Sequence, residues 1–499
     1  MGNQRKLGAA LSYVNIIAKN LVTFLYVPFL LRFVGQSNYG LFQMTNSVMV
    51  SLSLLSMGFS SAYVKFYITY KVNKQYDRLK KLNGLYLILF GGISIVALII
   101  GGILVLNTGS IFGRSLNASE IRLTTYLMAI MVFDVAITFI SSVFDSNITV
   151  NEQFIFQQSR QLMQTFLVPI ICVPLILVGV GVLSIAITQI SVTILFLIIN
   201  VNYCIRKLNM RFEFTNVDFS LLKELGLFSF FIFLNQIVDL VNNNVPNFIL
   251  GIFQGAKMVA TFAIAIQIKN MFFMLSSSLS NVFVPRVNQL VNLDKSKTVL
   301  TDLMIKVGRI QMALLFFVLG GFIVVGKFFV QIWAGAENVE AYYLIIIMVL
   351  PSIIPLCQNV GIEIQKAMNK HIFRSIVYVI FAVVNIVITI FGSIYFGLIG
   401  ASLGYVITIL CANGIAMNWY YSKKMGLEIG RYWSETTKIL VPFAVATIPL
   451  MFVQNSIVVN SFTRFVIFGL VYSAIYVAFY LKFTINNTEK QLLLGFFKR

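Results

Sequence analysis

Charged side chains are scarce in this chain of 499 residues: they make up 11% of it, against about 25% in soluble proteins. Hydrophobic residues make up 59%, and the mean hydropathy is +0.88. The apolar residues come in blocks of about twenty, the length at which a helix crosses the ~30 Å hydrocarbon core of a bilayer. The composition therefore excludes an ordinary soluble enzyme and predicts one large helical body in a membrane.

Residues that carry metal, redox or acid–base chemistry are also few. The single histidine, His371, lies in a basic turn, and the four cysteines lie within apolar blocks without metal-ligand spacing. The sequence contains no Walker loop, no Gly-x-Ser-x-Gly and no Asp-x-Asp pair. It therefore predicts no catalytic residue, no metal and no cofactor, and it argues against an enzyme.

Fourteen membrane spans are predicted, because backbone polar groups cannot go unpaired in lipid and blocks of this composition must be helical. If the N-terminus is cytoplasmic, the cytoplasmic flanks hold 28 Lys and Arg residues and the opposite flanks hold three. This positive-inside bias predicts that both termini are cytoplasmic, and it explains the net charge of +20 without a nucleic-acid partner. The predicted spans are 11–34, 41–63, 83–106, 123–146, 161–180, 183–204, 225–251, 258–285, 307–331, 341–364, 372–396, 399–421, 438–455 and 461–483.

An internal repeat relates the two halves of the sequence. A shift of 218 residues superposes the first six predicted spans on the next six without a gap, placing Asp145 on Glu363 and Gly179 on Gly397. An even number of spans per repeat makes the halves parallel, and such halves usually enclose the substrate path. The predicted fold is all-α, with two parallel-related six-helix lobes and two extra helices. The predicted domains are an N-terminal lobe at 1–224, a C-terminal lobe at 225–437, and two further spans with a cytoplasmic tail at 438–499.

Acidic residues within the spans are candidates for proton coupling, because ionisable groups in lipid usually face a cavity or a partner. Asp134 and Asp145 lie on one narrow polar stripe of the fourth span, which predicts a water-lined or proton-accepting face. The alternative is that they hydrogen-bond a neighbouring helix. Asp239, in the seventh span, is the third candidate and lies at a depth comparable to that of Lys19. The two could face each other across a central cleft or form a structural ion pair.

Cations deep in the spans are candidates for substrate binding. Lys19 lies about 12 Å along the first span at 1.5 Å per residue, on one stripe with Tyr26, and Lys269 lies mid-way along the eighth span. A charge at that depth needs an anion, water or a substrate group. Arg32 lies near the outer end of the first span, where snorkelling to the interface is the alternative.

Two further sets of charges are expected to be structural. Arg309 lies near the end of its span and is expected to snorkel to the interface. Glu363 and Lys366 are three residues apart at the inner end of the tenth span, which predicts an ion pair at a helix end.

Several motifs resemble those of a known family, the polysaccharide-repeat flippases of the Wzx type. These share a superfamily with the multidrug MATE exporters and the lipid II flippases. The resemblance rests on Arg32-x-x-Gly35-x-x-x-Tyr39-Gly40 after a Pro-containing first span, on Val284-Pro285, and on Asn369-Lys370 through Asn385 to Phe396-Gly397-x-x-Gly400-Ala401-x-x-Gly404.

This resemblance implies a V-shaped body that moves an undecaprenyl-diphosphate-linked oligosaccharide to the outer leaflet of the bacterial cytoplasmic membrane. It implies a role in O-antigen, capsule or exopolysaccharide synthesis, with membrane lipid around the protein and a polysaccharide polymerase and chain-length regulator as partners. It also implies a cationic cavity for the diphosphate or for acidic sugars. Arg32 matches the family pattern, whereas Lys19 and Lys269 are candidates by depth alone.

Two other functions stay open at this point. A MATE-like cation-coupled exporter of cationic drugs would use acidic cavity residues, and Asp134 and Asp239 are compatible with that role. A membrane polymerase or ligase of the same sugars would need a sizeable outward loop, whereas the longest predicted one covers only 107–122.

Overall fold

All regular structure in the described part of the chain is helical, as the sequence predicts. The computed structural model describes residues 2–56, 58–215, 221–293, 296–486 and 489–491. The first half contains α1 (Gly2–Val34), α2 (Gln36–Ser53), α3 (Phe59–Val72), α4 (Tyr76–Leu106), α5 (Thr108–Phe112), α6 (Ala118–Val150), α7 (Phe154–Leu177), α8 (Leu183–Arg206), α9 (Leu221–Asn243) and α10 (Val245–Phe253). The second half contains α11 (Ala256–Asn281), α12 (Val284–Asn292), α13 (Lys297–Ala334), α14 (Ala341–Cys357), α15 (Asn359–Ala367), α16 (Ile372–Thr408), α17 (Asn418–Lys423), α18 (Ile429–Thr436), α19 (Leu440–Ser456) and α20 (Phe462–Phe479).

Among the described residues, eleven helical segments are long and apolar enough to cross a membrane. The number is twelve if α14 and α15, which are bent by 42° relative to each other, form one span. These segments make the chain a multi-pass membrane protein. The predicted number of fourteen spans stays a prediction.

The segment from 372 to 423 contains a reversal of chain direction at Gly397, which has φ 56° and ψ −130°. Only glycine adopts this backbone conformation readily, because a Cβ would collide with the flanking peptide groups. The helical stretches on its two sides then pack against each other: a Cβ on Gly392 would collide with the Gly400 carbonyl. Farther along, the Thr408 hydroxyl donates to the Phe381 carbonyl over 3.2 Å. The reversal falls between the predicted spans 372–396 and 399–421.

The contacts divide the chain into two compact units, Met1–Ala260 and Thr261–Arg499. Helices α9 and α10 belong to the first unit, where α9 packs on α3 and α10 packs on α2. The predicted boundary between the lobes, at 224, lies before these helices, and the lobes stay a prediction.

The first unit is held together by buried polar side chains as well as by apolar packing. The Tyr63 hydroxyl of α3 donates to Asn83 Oδ1 of α4 over 2.7 Å and accepts from Asn147 Nδ2 of α6 over 2.8 Å. Asn83 in turn donates to the carbonyl of Arg211 over 2.9 Å. Hydrogen bonds of this kind stabilise helix pairs in lipid, where the hydrophobic effect does not favour one apolar contact over another. They fix α6, which carries Asp134 and Asp145.

Two pairs of backbone positions correspond across the predicted internal repeat, but the register between them is not constant. Glu152 and Asn369 are both left-handed, with φ of 55° and 54°, and lie 217 residues apart. Gly179 and Gly397 also both have positive φ, at 98° and 56°, and lie 218 residues apart. The offset of 217 also relates two stacked aromatic pairs, Phe156–Tyr203 and Phe373–Tyr420.

Candidate functional site

A polar groove of about 680 Å³ lies between α1 and α7 in the first unit, with Gln189 of α8 at its edge. We refer to it as the Lys19 groove. The predicted stripe on α1 forms one wall of this groove, because Lys19 and Tyr26 both line it together with Asn15 and Thr23. The structure thus brings together the polar residues that the helical periodicity placed on one face.

The opposite wall of the Lys19 groove is a row of glutamines that the sequence analysis missed. Gln158, Gln161 and Gln164 of α7 follow one another at a spacing of three residues, and Thr165 stands beside them. Asn15 Nδ2 ties the two walls together by donating to Gln158 Oε1 over 2.8 Å and to its carbonyl over 2.7 Å. The three-residue spacing of the glutamines in an apolar segment was the signal that could have identified this wall.

A second cavity of about 340 Å³ contains Asp134 of α6, and we refer to it as the Asp134 cavity. Two glutamines, Gln164 and Gln189, line both this cavity and the Lys19 groove. Within the described residues Asp134 Oδ1 is buried without a hydrogen-bond partner, while the Thr193 hydroxyl faces the same carboxylate. A buried oxygen of this kind is costly to leave unsatisfied. The geometry therefore suits a proton or a bound cation at Asp134.

Asp145 lies on the same helix as Asp134 but has a charged partner. It forms an ion pair with Arg160 of α7, and Asn200 Nδ2 of α8 donates to Asp145 Oδ1 over 3.1 Å. This arrangement joins α6, α7 and α8 through one carboxylate. These contacts match the alternative considered from the sequence, in which the aspartate hydrogen-bonds a neighbouring helix.

Lys269 lies in the interior of the second unit and is not among the described residues that line the Lys19 groove. Its side chain is 1% exposed, and its ammonium lies 4.3 Å from the ring centroid of Tyr405. The Tyr405 hydroxyl lies 2.7 Å from Ser352 Oγ. A cation over an aromatic face is stabilised by the ring quadrupole, which gives Lys269 a structural environment.

The other predicted site residues are not among the described residues that line the Lys19 groove. Arg32 is exposed in the last turn of α1, just before Gly35, whose φ of 90° ends the helix. Asp239 is exposed on α9 and is not among the described residues that line the Lys19 groove. Lys366 Nζ lies 2.7 Å from Glu363 Oε1, in a partly exposed ion pair on α15.

The Arg309 prediction was wrong: this side chain does not snorkel. It is 1% exposed, and its guanidinium forms two hydrogen bonds with the carboxylate of Glu489, at 2.6 and 3.1 Å. It also donates to the carbonyls of Glu435 and Thr484, over 2.6 and 2.7 Å. The partner lies 180 residues away in sequence, so no local pattern could indicate it.

The described part of the chain contains no group of three or more His, Cys, Asp or Glu side chains that could hold a metal ion. The polar groups of the Lys19 groove are amides, hydroxyls and one ammonium, which hydrogen-bond a ligand rather than coordinate a metal.

Comparison with known proteins identifies one family and one fold. The family described as polysaccharide biosynthesis protein matches residues 7–291. No curated protein matched the sequence. Among solved structures, the lipid II flippase MurJ in an inward closed conformation has a TM-score of 0.71 at 15% identity, over 95% of this chain and 98% of that chain. An inward-facing multidrug resistance MATE family transporter of the MOP superfamily has a TM-score of 0.57 at 13% identity, over 84% and 94%. The MATE multidrug transporter DinF-BH has a TM-score of 0.55 at 15% identity, over 85% and 97%. At these identities the likeness shows a shared fold.

Proposed function

Because the chain belongs to the family of polysaccharide biosynthesis proteins, we propose that it is a flippase for lipid-linked oligosaccharides. It moves undecaprenyl-diphosphate-linked repeat units from the cytoplasmic to the outer leaflet, for the synthesis of O-antigen, capsule or exopolysaccharide. The observation that carries the proposal is the Lys19 groove, a polar cavity of about 680 Å³ that contains one cation. The helices that form it are otherwise apolar enough to lie in lipid. The fold shared with MurJ supports it, because that protein is a flippase of lipid II.

Lys19 and Tyr26 are the substrate-binding residues in this proposal. Both line the Lys19 groove, and Lys19 is exposed there rather than buried. An ammonium held in a polar groove attracts an acidic group of the substrate and remains solvated between transport cycles. Arg32, exposed at the end of the same helix, is a further contact for an anionic group. Lys269 acts from the interior of the second unit, by holding Tyr405 in place.

Asp134 is the coupling residue in this proposal. Alternating access requires something that favours the return of the empty protein to its inward-facing state. Proton binding at Asp134 supplies that bias, because the carboxylate faces a cavity and one of its oxygens has no partner among the described residues. Asp145 is a structural ion partner instead, since Arg160 and Asn200 already satisfy it.

We place the protein in the bacterial cytoplasmic membrane with both termini in the cytoplasm, as the positive-inside bias favours. The delivered repeat units would then be consumed by a polysaccharide polymerase acting with a chain-length regulator at the outer face. No catalytic step is assigned to this chain, whose polar sites suit binding and release.

The decisive experiment is a deletion strain. We expect it to lose surface polysaccharide and to accumulate lipid-linked repeat units in the inner leaflet, and a plasmid copy to restore both. A deletion strain that keeps its surface polysaccharide and its normal lipid-linked pool would contradict the proposal.

A MATE-like exporter of cationic drugs is the second candidate. One observation favours it: the Asp134 cavity is lined by a carboxylate together with Phe139 and Met131. This combination suits a lipophilic cation. Efflux of a fluorescent cationic dye, lost in the deletion strain and in Asp134→Asn, would favour this candidate over the flippase.

A further inference from the structure

Three glutamines at the Lys19 groove have free side chains. Within the part of the chain that the structure describes, the side-chain amides of Gln161, Gln164 and Gln189 have no hydrogen-bond partner in the protein. Gln161 and Gln164 are exposed, and they stand about 4.5 Å apart along α7 at 1.5 Å per residue. We refer to these three residues as the free amides. Gln161 and Gln164 form a row of unused donors and acceptors along the α7 wall, and Gln189 of α8 adds another at the edge of the groove.

The groove also presents acceptors that lack a donor. Asn15 uses its amide hydrogens on Gln158, and its Oδ1 is buried without a partner among the described residues. Pro169, which lines the groove, has no N–H, so the carbonyl of Thr165 four residues earlier loses its usual helical donor. Unpaired acceptors favour a ligand that brings hydrogen-bond donors.

These features match one part of a lipid-linked oligosaccharide better than another. A diphosphate offers only acceptors and carries several negative charges, so proteins hold it with several Arg or Lys side chains or with helix N-termini. Among the described residues that line the groove, Lys19 is the one cation. Sugar hydroxyl and acetamido groups both donate and accept, as amide side chains do.

We propose that the Lys19 groove binds the uncharged hydroxyl and acetamido groups of a glycan through the free amides, and that the diphosphate is held elsewhere. This inference rests on the proposed function, because it assigns the glycan part of that substrate to this groove. Lys19 then supplies one charge beside the amides, which suits at most a single carboxylate on a sugar.

The test is saturation-transfer NMR on the full-length protein in nanodiscs, with N,N′-diacetylchitobiose as the glycan probe and inorganic pyrophosphate as the competitor. We expect chitobiose to bind the wild type and Gln161→Ala/Gln164→Ala to bind it about tenfold more weakly, as the loss of two hydrogen bonds predicts. The matched control is Gln157→Ala on the same helix, whose amide donates to Thr149 Oγ1 over 3.1 Å and which does not line the groove. It should bind as the wild type does, and an excess of pyrophosphate should leave the chitobiose signal in place.

Any of three results overturns the inference: no saturation transfer to the wild type, equal affinity in wild type and the double variant, or displacement of chitobiose by pyrophosphate. If the double variant accumulates poorly, Gln161→Ala alone serves the same purpose, because this side chain is exposed. The deletion strain tests the proposed function separately. Lost surface polysaccharide with a negative chitobiose result rejects only the inference, whereas chitobiose binding through the free amides in a protein whose deletion leaves surface polysaccharide intact rejects only the flippase.

Discussion

The guanidinium of Arg309 on α13 is held 2.6 Å from the carboxylate of Glu489, close to the end of the described chain. The two side chains are 1% and 5% exposed. Through the carbonyls of Glu435 and Thr484, the same guanidinium also joins the end of α18 and the segment that follows α20. One buried cation thus connects three segments of the second unit.

Glu489→Ala should destabilise the protein by about 3 kcal/mol, because it removes both hydrogen bonds of Arg309 to this carboxylate and leaves the Glu435 carboxylate, 3.9 Å away, as the described counter-charge. Glu489→Gln should cost less, since the amide still accepts a hydrogen bond. The measurement is thermal unfolding in detergent, followed by fluorescence-detected size exclusion. Asp77→Ala is the control: it removes an exposed ion pair with Lys80 and should not change the midpoint. Equal midpoints for Glu489→Ala and Asp77→Ala would show that the buried pair contributes nothing.

Lys19→Ala should leave membrane accumulation intact, because Lys19 is exposed in the groove. It should reduce the display of surface polysaccharide if Lys19 binds substrate as proposed. Lys19→Arg keeps the charge and should retain most of the display. Immunoblots of the surface polymer and of a C-terminal tag measure the two quantities. If Lys19→Ala abolishes accumulation and Lys19→Ala with Asp239→Asn restores it, Lys19 is a structural ion partner and the assignment fails.

Asp134→Asn should uncouple transport from the proton gradient without unfolding the protein, since the amide fills the same volume but takes up no proton. The measurement is the rate at which lipid-linked oligosaccharide crosses proteoliposome membranes, with and without an imposed pH gradient. Asp134→Glu should retain part of the pH response. A wild type that is indifferent to the gradient, or an Asp134→Asn variant with the full response, would make Asp134 a structural hydrogen-bonding group.

Asp145→Ala should lower the stability by about 2 kcal/mol, because hydrogen bonds to a charged group are lost and Arg160 is left without its partner. Removing both charges in Asp145→Ala/Arg160→Ala should restore part of this loss, which a coupling role would not predict. Thermal midpoints of the two single variants and the double variant give the interaction energy. If the double variant folds stably but its transport no longer responds to a pH gradient, Asp145 takes part in proton coupling.

Gly397→Ala should cost about 1–3 kcal/mol, because a Cβ is strained at φ 56° and ψ −130°. The matched control in the same unit is Gly469→Ala on α20, where an added Cβ meets no atom within 4 Å and should be tolerated. Membrane accumulation of the two variants measures the difference. Equal accumulation would mean that the reversal between the two helices does not depend on glycine.

Much of the fold could be predicted from the sequence, because hydropathy and turn preference are local properties. Apolar blocks indicated helices, but the predicted spans 41–63, 225–251 and 341–364 each cover two helices, and α13 begins ten residues before the predicted span 307–331. The gap between the predicted spans 372–396 and 399–421 falls at the reversal at Gly397. The family motif Arg32-x-x-Gly35-x-x-x-Tyr39-Gly40 has a similar basis. Gly35 has φ 90° at the turn between α1 and α2, and a Cβ on Gly40 would collide with the Ala256 carbonyl. Such glycines are required by the path of the backbone. They therefore indicate the family, but they do not indicate the substrate.

Only the tertiary structure decided which polar residue met which partner. Helical periodicity put Asn15, Lys19 and Tyr26 on one face, but their opposite wall comes from a helix more than a hundred residues later. Asp134 and Asp145 share one helical stripe in the sequence. In the structure, however, Asp145 pairs with Arg160, whereas Asp134 lines a cavity. In a membrane, most of the apolar surface fits lipid as well as protein, so hydropathy does not select helix neighbours. The neighbours are selected by close packing and by hydrogen bonds between distant residues, and these decide which of the buried charges are available to a substrate.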